Sequence, residues 1–384
     1  MYKIGVIGLG YRIHYGVLNS LYEWCNDVKV SAICDPAIDK VKEKILDKPE
    51  YFISNPVFYT DADEMLQKEE LDGIIIGTRC SLHTEMAIKA MAKNVPIFLE
   101  KPVCTSMEEF NKLYEATKKY NPQVVVSFPL RYTALTTMAK EIIDSGKIGD
   151  VLQVDAFNDV PYGRVYFKNW YRNDEETGGL WLQKATHDFD YLNYILGDRI
   201  TEVFARNVKK LFKGDMPENF KCVDCPKYKT CPESTYVIEH TMNDKPEGEY
   251  CSFAVDTGNE DCGTALLKCE SGAIVSYAQN FYARHKAARR GARFLGYKGT
   301  LEFDWYKSEV KVYMHTSPRV ETYSFDDNGS HFGGDNKLAE LFVSMLEGKK
   351  VKSYMYEGLE SAYLCLLAKE SSETGKNIVT KDLF

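Results

Sequence analysis

Residues 3–35 read KIGVIGLGYRIHYGVLNSLYEWCNDVKVSAICD, and this stretch decides the fold. Lys3 to Ile7 is a short β-prone run, and Gly8-Leu9-Gly10 breaks it. Ile13, Val17, Leu21 and Trp24 then recur at spacings of four, four and three, one face of a helix. Val28 to Cys34 is a second strand, ended by Asp35. A dinucleotide needs this layout. Gly8 permits the tight turn, Gly10 lets backbone approach a pyrophosphate, and the helix N-terminus offers unpaired N–H groups and a positive dipole. A carboxylate at the end of the second strand can accept hydrogen bonds from an adenosine ribose diol. Asp35 in that place favours NAD over NADP, because it would repel a 2′-phosphate. The third glycine of G-x-G-x-x-G is replaced by Ile13, so a βαβ unit without a nucleotide is the alternative.

The alternation continues outward from this unit. Val57–Tyr59, Gly73–Gly77, Val95–Leu99 and Val124–Phe128 read as further strands, with helices opening at Thr60-Asp61, near Thr84 and at the capping box Ser106-Met107-Glu108-Glu109. Six strands with crossover helices predict a Rossmann-type doubly wound parallel sheet over residues 1–125, ordered 3-2-1-4-5-6. Gly8, Asp35, Thr78 and Glu100-Lys101 then fall at the carboxyl ends of strands, where ligands bind such sheets. Beyond residue 125 the pattern changes to strands joined by short turns, interrupted by a helix over Thr186–Leu196 and closed by two near Asp335–Leu346 and Glu357–Thr374. Residues 126–384 are therefore expected to form an α+β domain with a mostly antiparallel open sheet.

Composition narrows the function. A net charge of −8 offers no basic footprint for a nucleic-acid partner. No apolar run approaches membrane-spanning length, and the first residues already form a strand rather than a leader. A cytoplasmic location is the expectation.

Two stretches carry candidate chemistry. Glu100-Lys101-Pro102 follows the fifth strand, where Pro102 stiffens the turn and partial burial next to a positive nicotinamide ring would lower the Lys101 pKa. A lysine in that state can take a hydroxyl proton; the alternative is a surface lysine on a loop. The second stretch is Thr177–Asp190, TGGLWLQKATHDFD. Gly178-Gly179 allow close approach of a ligand, His187 is expected in the first turn of a helix that keeps it neutral, and Lys184 lies three residues earlier. The competing reading makes His187 a helix cap, with Asp188 and Asp190 complementing the dipole.

Gly8-Leu9-Gly10-Tyr11-Arg12, Glu100-Lys101-Pro102, Arg131-Tyr132, Trp170-Tyr171-Arg172, Gly178-Gly179 with His187-x-x-Asp190, and Gly299-Thr300-Leu301-Glu302-Phe303 resemble, in order, the motifs of the Gfo/Idh/MocA oxidoreductases. The resemblance implies NAD(P)-dependent oxidation or reduction at a secondary alcohol of a sugar, inositol or related polyol. It makes Lys101 and His187 catalytic, with Lys184 as a further candidate. It assigns Gly8, Gly10, Tyr11, Arg12, Asp35, Thr78, His83, Glu100 and Lys101 to the cofactor. The carbohydrate candidates are Lys101, Arg131, Gln183, Lys184 and His187, with His331 added because glycine-flanked loops such as its own often line ligands, and Tyr162, Tyr166, Trp170 and Arg172 as an aromatic sugar platform whose alternative is core packing. The open sheet face would carry dimer contacts, so a homodimer or homotetramer is expected. Two departures stand out. Gln183 occupies the place of an aspartate four residues before the histidine, and Thr78-Arg79-Cys80-Ser81-Leu82-His83 replaces T-P-N-x-x-H. The first keeps open a redox-neutral route of glycoside cleavage by oxidation, elimination and re-reduction. A non-catalytic dinucleotide-binding regulator would have no need of Lys101 or His187.

Eleven cysteines are mostly scattered through core-like segments, but Cys222-x-x-Cys225-x5-Cys231 with Cys251 forms a cluster. Four thiolates could enclose a structural zinc and staple a polar insertion at about 209–250; the alternative is free or bridged thiols. The basic run Arg284-His285-Lys286 and Arg289-Arg290-x-x-Arg293 reads as a solvated face, a subunit contact or a site for an anionic sugar.

Overall fold

The computed structural model describes residues 1–326 and 330–384. Its first sheet contains β1 (Tyr2–Ile7), β2 (Val28–Cys34), β3 (Phe52–Tyr59), β4 (Gly73–Ile76), β5 (Ile97–Leu99) and β6 (Val124–Val126). All neighbours are parallel and the order is β3-β2-β1-β4-β5-β6, as the strand–helix grammar requires. Ile4, Val6, Ile74, Ile75 and Ile76 are fully buried, because helices cover both faces of a parallel sheet and leave no side for polar residues. The capping box forms: Ser106 Oγ accepts from the Glu109 N–H at 3.2 Å, while Glu109 Oε2 accepts from the Thr105 N–H at 2.7 Å.

The second sheet contains β7 (Val151–Asp159), β8 (Ile200–Val208), β9 (Cys262–Cys269), β10 (Ile274–Asn280), β11 (Arg289–Gly296), β12 (Gly299–Asp304), β13 (Glu309–Met314), β14 (Val320–Ser324) and β15 (Ile378–Val379). Its order is β14-β13-β12-β11-β7-β10-β9-β8-β15, antiparallel except for the β7–β10 pair. Alternate residues of β9 are buried, the period-two signature of a sheet covered on one side. Leu152, Phe204, Leu266 and Ile274 remain exposed on these strands. The helix Gly334–Leu346 returns to the first sheet, where Leu338, Phe342 and Val343 join the core around Ile4 and Val6. No helix among the described residues is long and apolar enough to cross a membrane.

Three local expectations change. The helix after the glycine turn opens with a widened π-helical turn, Ile13–Val17, before Leu18–Trp24. Ile13, Val17 and Leu21 are buried as expected and Leu18 joins them, while Trp24, expected inside, is 51% exposed at the helix end. Thr186–Leu196 is preceded without a break by the π-helical Trp181–Ala185. His187 therefore sits inside a continuous helical segment and not at a free N-terminus, so no helix dipole keeps it neutral. Asp188 and Asp190 are not dipole partners either. Asp190 receives Arg131, while Asp188 accepts from Asn158, Tyr277 and Arg290 at 2.7–2.8 Å.

The zinc expectation finds no support. Cys222, Cys225, Cys231 and Cys251 are free thiols around a cavity of about 20 Å³. Among the described residues no group of three or more His, Cys, Asp or Glu side chains is arranged to hold a metal ion. Buried cations staple the insertion instead. The Lys168 ammonium donates to Cys222 Sγ at 3.1 Å, to the Glu233 carbonyl at 2.8 Å and to the Tyr250 carbonyl at 3.0 Å. Arg164 pairs with Asp244 at 2.6 Å. A fixed positive charge against one of the four sulfurs opposes a second cation beside it. Within the basic run, Arg289 pairs with Asp159, Arg290 with Asp188, and Arg293 lies 3.7 Å from Glu302.

Candidate active site

A cavity of about 890 Å³ runs along the carboxyl ends of β1, β2, β4 and β5 and on to the wall formed by residues 162–187. That is ample for a dinucleotide and a small ligand together. At one end Gly8 has φ +84°, and a Cβ there would meet the Thr78 amide nitrogen at 2.7 Å. Gly10 is open, its nearest neighbour being the Gly77 carbonyl oxygen at 3.6 Å. Glycine is required at the first position for conformation and space; at the second it leaves backbone bare to the cavity. Asp35 caps the turn, its Oδ2 accepting from the Leu9 N–H at 3.0 Å and its Oδ1 from the Ala37 N–H at 2.9 Å. Lys44, which the motif reading missed, lines the same rim and donates to the Leu9 carbonyl at 2.6 Å. These groups fit the adenosine and pyrophosphate half of a dinucleotide.

Several residues assigned to the cofactor act through the frame. Tyr11 lines the cavity and is 77% exposed. The Arg12 guanidinium is committed to Glu100 at 3.2 Å and to Asp335 at 2.5 Å, so it ties the first helix to β5 and to the Gly334–Leu346 helix. Asp335 is held far below the ordinary carboxylate range, where these hydrogen bonds outweigh its burial. His83 is buried and bridges two loops, Nδ1 lying 2.7 Å from the Pro102 carbonyl oxygen and Nε2 3.2 Å from that of Thr78. It fixes the Glu-Lys-Pro turn, in which the Lys101–Pro102 bond is cis.

The opposite end brings together Lys101, Gln183, Lys184, His187, His331, Tyr166 and Trp170, all on the wall of the same cavity. Lys101 Nζ donates to the Gln183 carbonyl at 3.0 Å. Burial, and then the nearby charge of Lys184, push its pKa down to about 8. His187 is buried and held well below the ordinary imidazole value, first by burial and then by the charges of Lys101 and Arg290. Its Nδ1 has no hydrogen-bond partner among the described residues. The His331 ring centroid is 6.4 Å away, and His331 Nδ1 lies 3.0 Å from Asp335. Lys184 Nζ donates to the Tyr162 hydroxyl at 2.5 Å. Arg131 is the exception. It is buried against Asp190 and over the Tyr194 ring at 5.0 Å, not among the residues of the cavity wall, and so braces the His187 helix.

Sequence reasoning gave Arg79 and Cys80 no role beyond the altered loop. Arg79 lies 3.6 Å over the Trp170 ring at the cavity rim, and Cys80 Sγ receives the Gln183 side-chain N–H at 3.1 Å. Their side chains meet partners more than 90 positions away, which no local motif announces.

A Rossmann sheet with its glycine turn open to a cavity, faced by a buried amine and imidazole, defines an NAD-binding oxidoreductase. The chain belongs to the Gfo/Idh/MocA family: residues 2–128 match the model described as "Oxidoreductase family, NAD-binding Rossmann fold" and residues 136–302 match the family's C-terminal domain. It is 29% identical to the Bacillus subtilis (strain 168) protein YteT over 327 residues, 75% of this chain and 76% of that one. It is 28% identical to the myo-inositol 2-dehydrogenase of Thermotoga maritima over 207 residues, 53% of this chain and 57% of the relative. Among solved structures, levoglucosan dehydrogenase in complex with NADH and levoglucosan superposes with a TM-score of 0.76 at 17% identity, covering 98% of this chain and 99% of that one. The scyllo-inositol dehydrogenase of Lactobacillus casei, with bound NAD(H) and scyllo-inositol, gives 0.71 at 19% identity and covers 99% of each. At those identities the superpositions speak for the fold.

Proposed function

We propose that the protein is an NAD-dependent dehydrogenase acting on a secondary alcohol of a sugar, inositol or related polyol. The observation that carries this reading is that Lys101 and His187, contributed by different parts of the chain, line the cavity that also holds the open glycine turn. NAD, when bound, supplies a hydride acceptor at nicotinamide C4. Gly8, Gly10, Asp35 and Thr78 would hold it, with Asp35 selecting against a 2′-phosphate. Lys101, neutral above about pH 8, takes the hydroxyl proton. His187 orients the same oxygen through a ring nitrogen, its neutrality fixed by burial. Arg79, Tyr166 and Trp170 shape the substrate end. The relative named as a myo-inositol 2-dehydrogenase supports the substrate class. The exposed apolar stripe of Phe204 and Leu266, directly paired across β8 and β9, supports a homodimer or homotetramer.

The test is to mix the protein with NAD and a panel of inositols, hexoses, uronates and glycosides, following nicotinamide fluorescence and sugar products by mass spectrometry. Reduced nicotinamide formed in step with a ketose or inosose is expected. Glycoside cleavage without accumulated NADH would replace this reading with the redox-neutral route. Cofactor binding with no product from any compound would leave a regulator.

A further inference from the structure

A base that accepts the alcohol's proton must lose it again before the next turnover, and the hydrogen bond that Lys101 makes does not provide the exit. The Lys101 hydrogen bond runs to the Gln183 carbonyl, which has no proton to exchange. The Gln183 side-chain amide is tied to Cys80 Sγ at 3.1 Å and to the Thr177 carbonyl at 3.2 Å. His187 is buried, and its Nδ1 is without a partner among the described residues. On the adjoining wall stands Tyr162, 41% exposed, with its oxygen receiving the Lys184 ammonium at 2.5 Å and its ring lying 4.6 Å from the same nitrogen. Tyr162, Lys184 and Lys101 line one cavity.

We propose that Tyr162, its phenolic oxygen held by Lys184, is the proton relay that resets Lys101 after each turnover. This rests on the dehydrogenase reading above. The steps balance. As the C–H hydride leaves for the nicotinamide, the O–H proton passes to the Lys101 amine, giving an ammonium and a carbonyl. The ammonium passes its proton to the Tyr162 phenolate, giving back the amine and forming a phenol. The phenol loses the proton to water at the open side of the cavity. Lys184 takes no part in the transfer and stays as the donor to the phenolic oxygen. Burial opposes ionisation of Tyr162, but the charges of Lys184, Arg290 and Lys101 outweigh it and hold the phenol below its ordinary value. Lys101 is itself displaced down to about 8. The two groups are thereby drawn toward one another, which narrows the free-energy gap for transfer between them. Tyr166, beside them, shows the contrast: burial and the neighbouring Tyr162 hold it well above the ordinary phenol value.

The experiment has two readouts. Spectrophotometric titration of tyrosinate absorbance in the wild type should show one tyrosine ionising below the rest. That step should be absent in Tyr162→Phe and displaced upward in Lys184→Met. In parallel, turnover is measured with whichever of scyllo-inositol, myo-inositol and levoglucosan is oxidised. Tyr162→Phe should lower kcat about 10²-fold, with KM changed less than about threefold. Imidazole buffer, a diffusible base, should restore part of the loss, which a purely structural defect would not allow. NADH fluorescence confirms that the variant folds and binds. A wild type without the early tyrosine step overturns the relay whatever the turnover. So does a Tyr162→Phe enzyme with an unchanged kcat and pH profile. An early tyrosine step with no oxidation of any probe removes the dehydrogenase reading and the relay with it, while leaving the ionised phenol as a property of the cavity.

Discussion

The glycine turn and the 162–187 wall face the same cavity, yet they are made of different material. The turn is built mainly from backbone: Gly8 is held at φ +84° against Thr78, Gly10 leaves its surface bare, and a single carboxylate closes the loop. The wall is built from side chains that would be costly to bury alone, Lys184 and His187, the first held by Tyr162 and the second under the charges of Lys101 and Arg290. A backbone site is specified by where glycine stands and tolerates little else. A side-chain site is specified by mutual electrostatics, so altering one group changes the protonation of the next.

That contrast can be broken by experiment. The largest effect is expected from Lys101→Met, which keeps the volume and deletes the amine. On the proposed function kcat should fall by about 10²–10⁴-fold, with NADH affinity by fluorescence close to wild type. Equal loss of both would make Lys101 part of the cofactor scaffold and erase the difference between the two ends. Gly8→Ala should behave in the opposite way. An alanine at positive φ costs about 1–3 kcal/mol, and its Cβ would press on the Thr78 amide. NADH binding should weaken by about 5- to 150-fold by the same energy, with kcat at saturating cofactor changed far less. The pH profile of oxidation sharpens the point. Lys101 must be neutral to accept a proton and titrates at about 8. The log of kcat/KM should therefore rise with pH and level off above that value, losing about tenfold per unit below it. In the reductive direction, where Lys101 must be charged, the limb reverses. Smallest is Asp35→Asn. Removing its charge while Lys44 stays at the same rim should shift the NADP/NAD preference in favour of NADP by about tenfold, measured as the ratio of dissociation constants.

How much could be read beforehand follows the same division. The parallel sheet, its strand order and the positions of Gly8, Asp35 and Lys101 at strand ends are local consequences of periodicity and turn residues, and they stand. The mistakes lie where a residue's environment is assembled from afar. His187 sits mid-helix because the π-turn Trp181–Ala185 runs straight into its helix. Arg131, a substrate candidate by motif, turns inward because Asp190, 59 positions on, takes its charge. The four cysteines have metal-like spacing, yet the Lys168 ammonium reaches one of them from a separate helix.

The chain's own order of residues determined a nucleotide-type βαβ start, a six-stranded parallel sheet, a second sheet exposed on one side, and which loops would face the cleft. These depend on side-chain periodicity and on glycine's backbone freedom, both carried within a few neighbouring positions. Only the tertiary structure decided which charged groups meet, and hence that Tyr162 and Lys184 pair beside Lys101, that Arg79 stacks on Trp170, and that the cysteine cluster is braced by a cation. Burial and Coulomb interactions depend on distance in space, and the spacing of letters along a chain does not contain it.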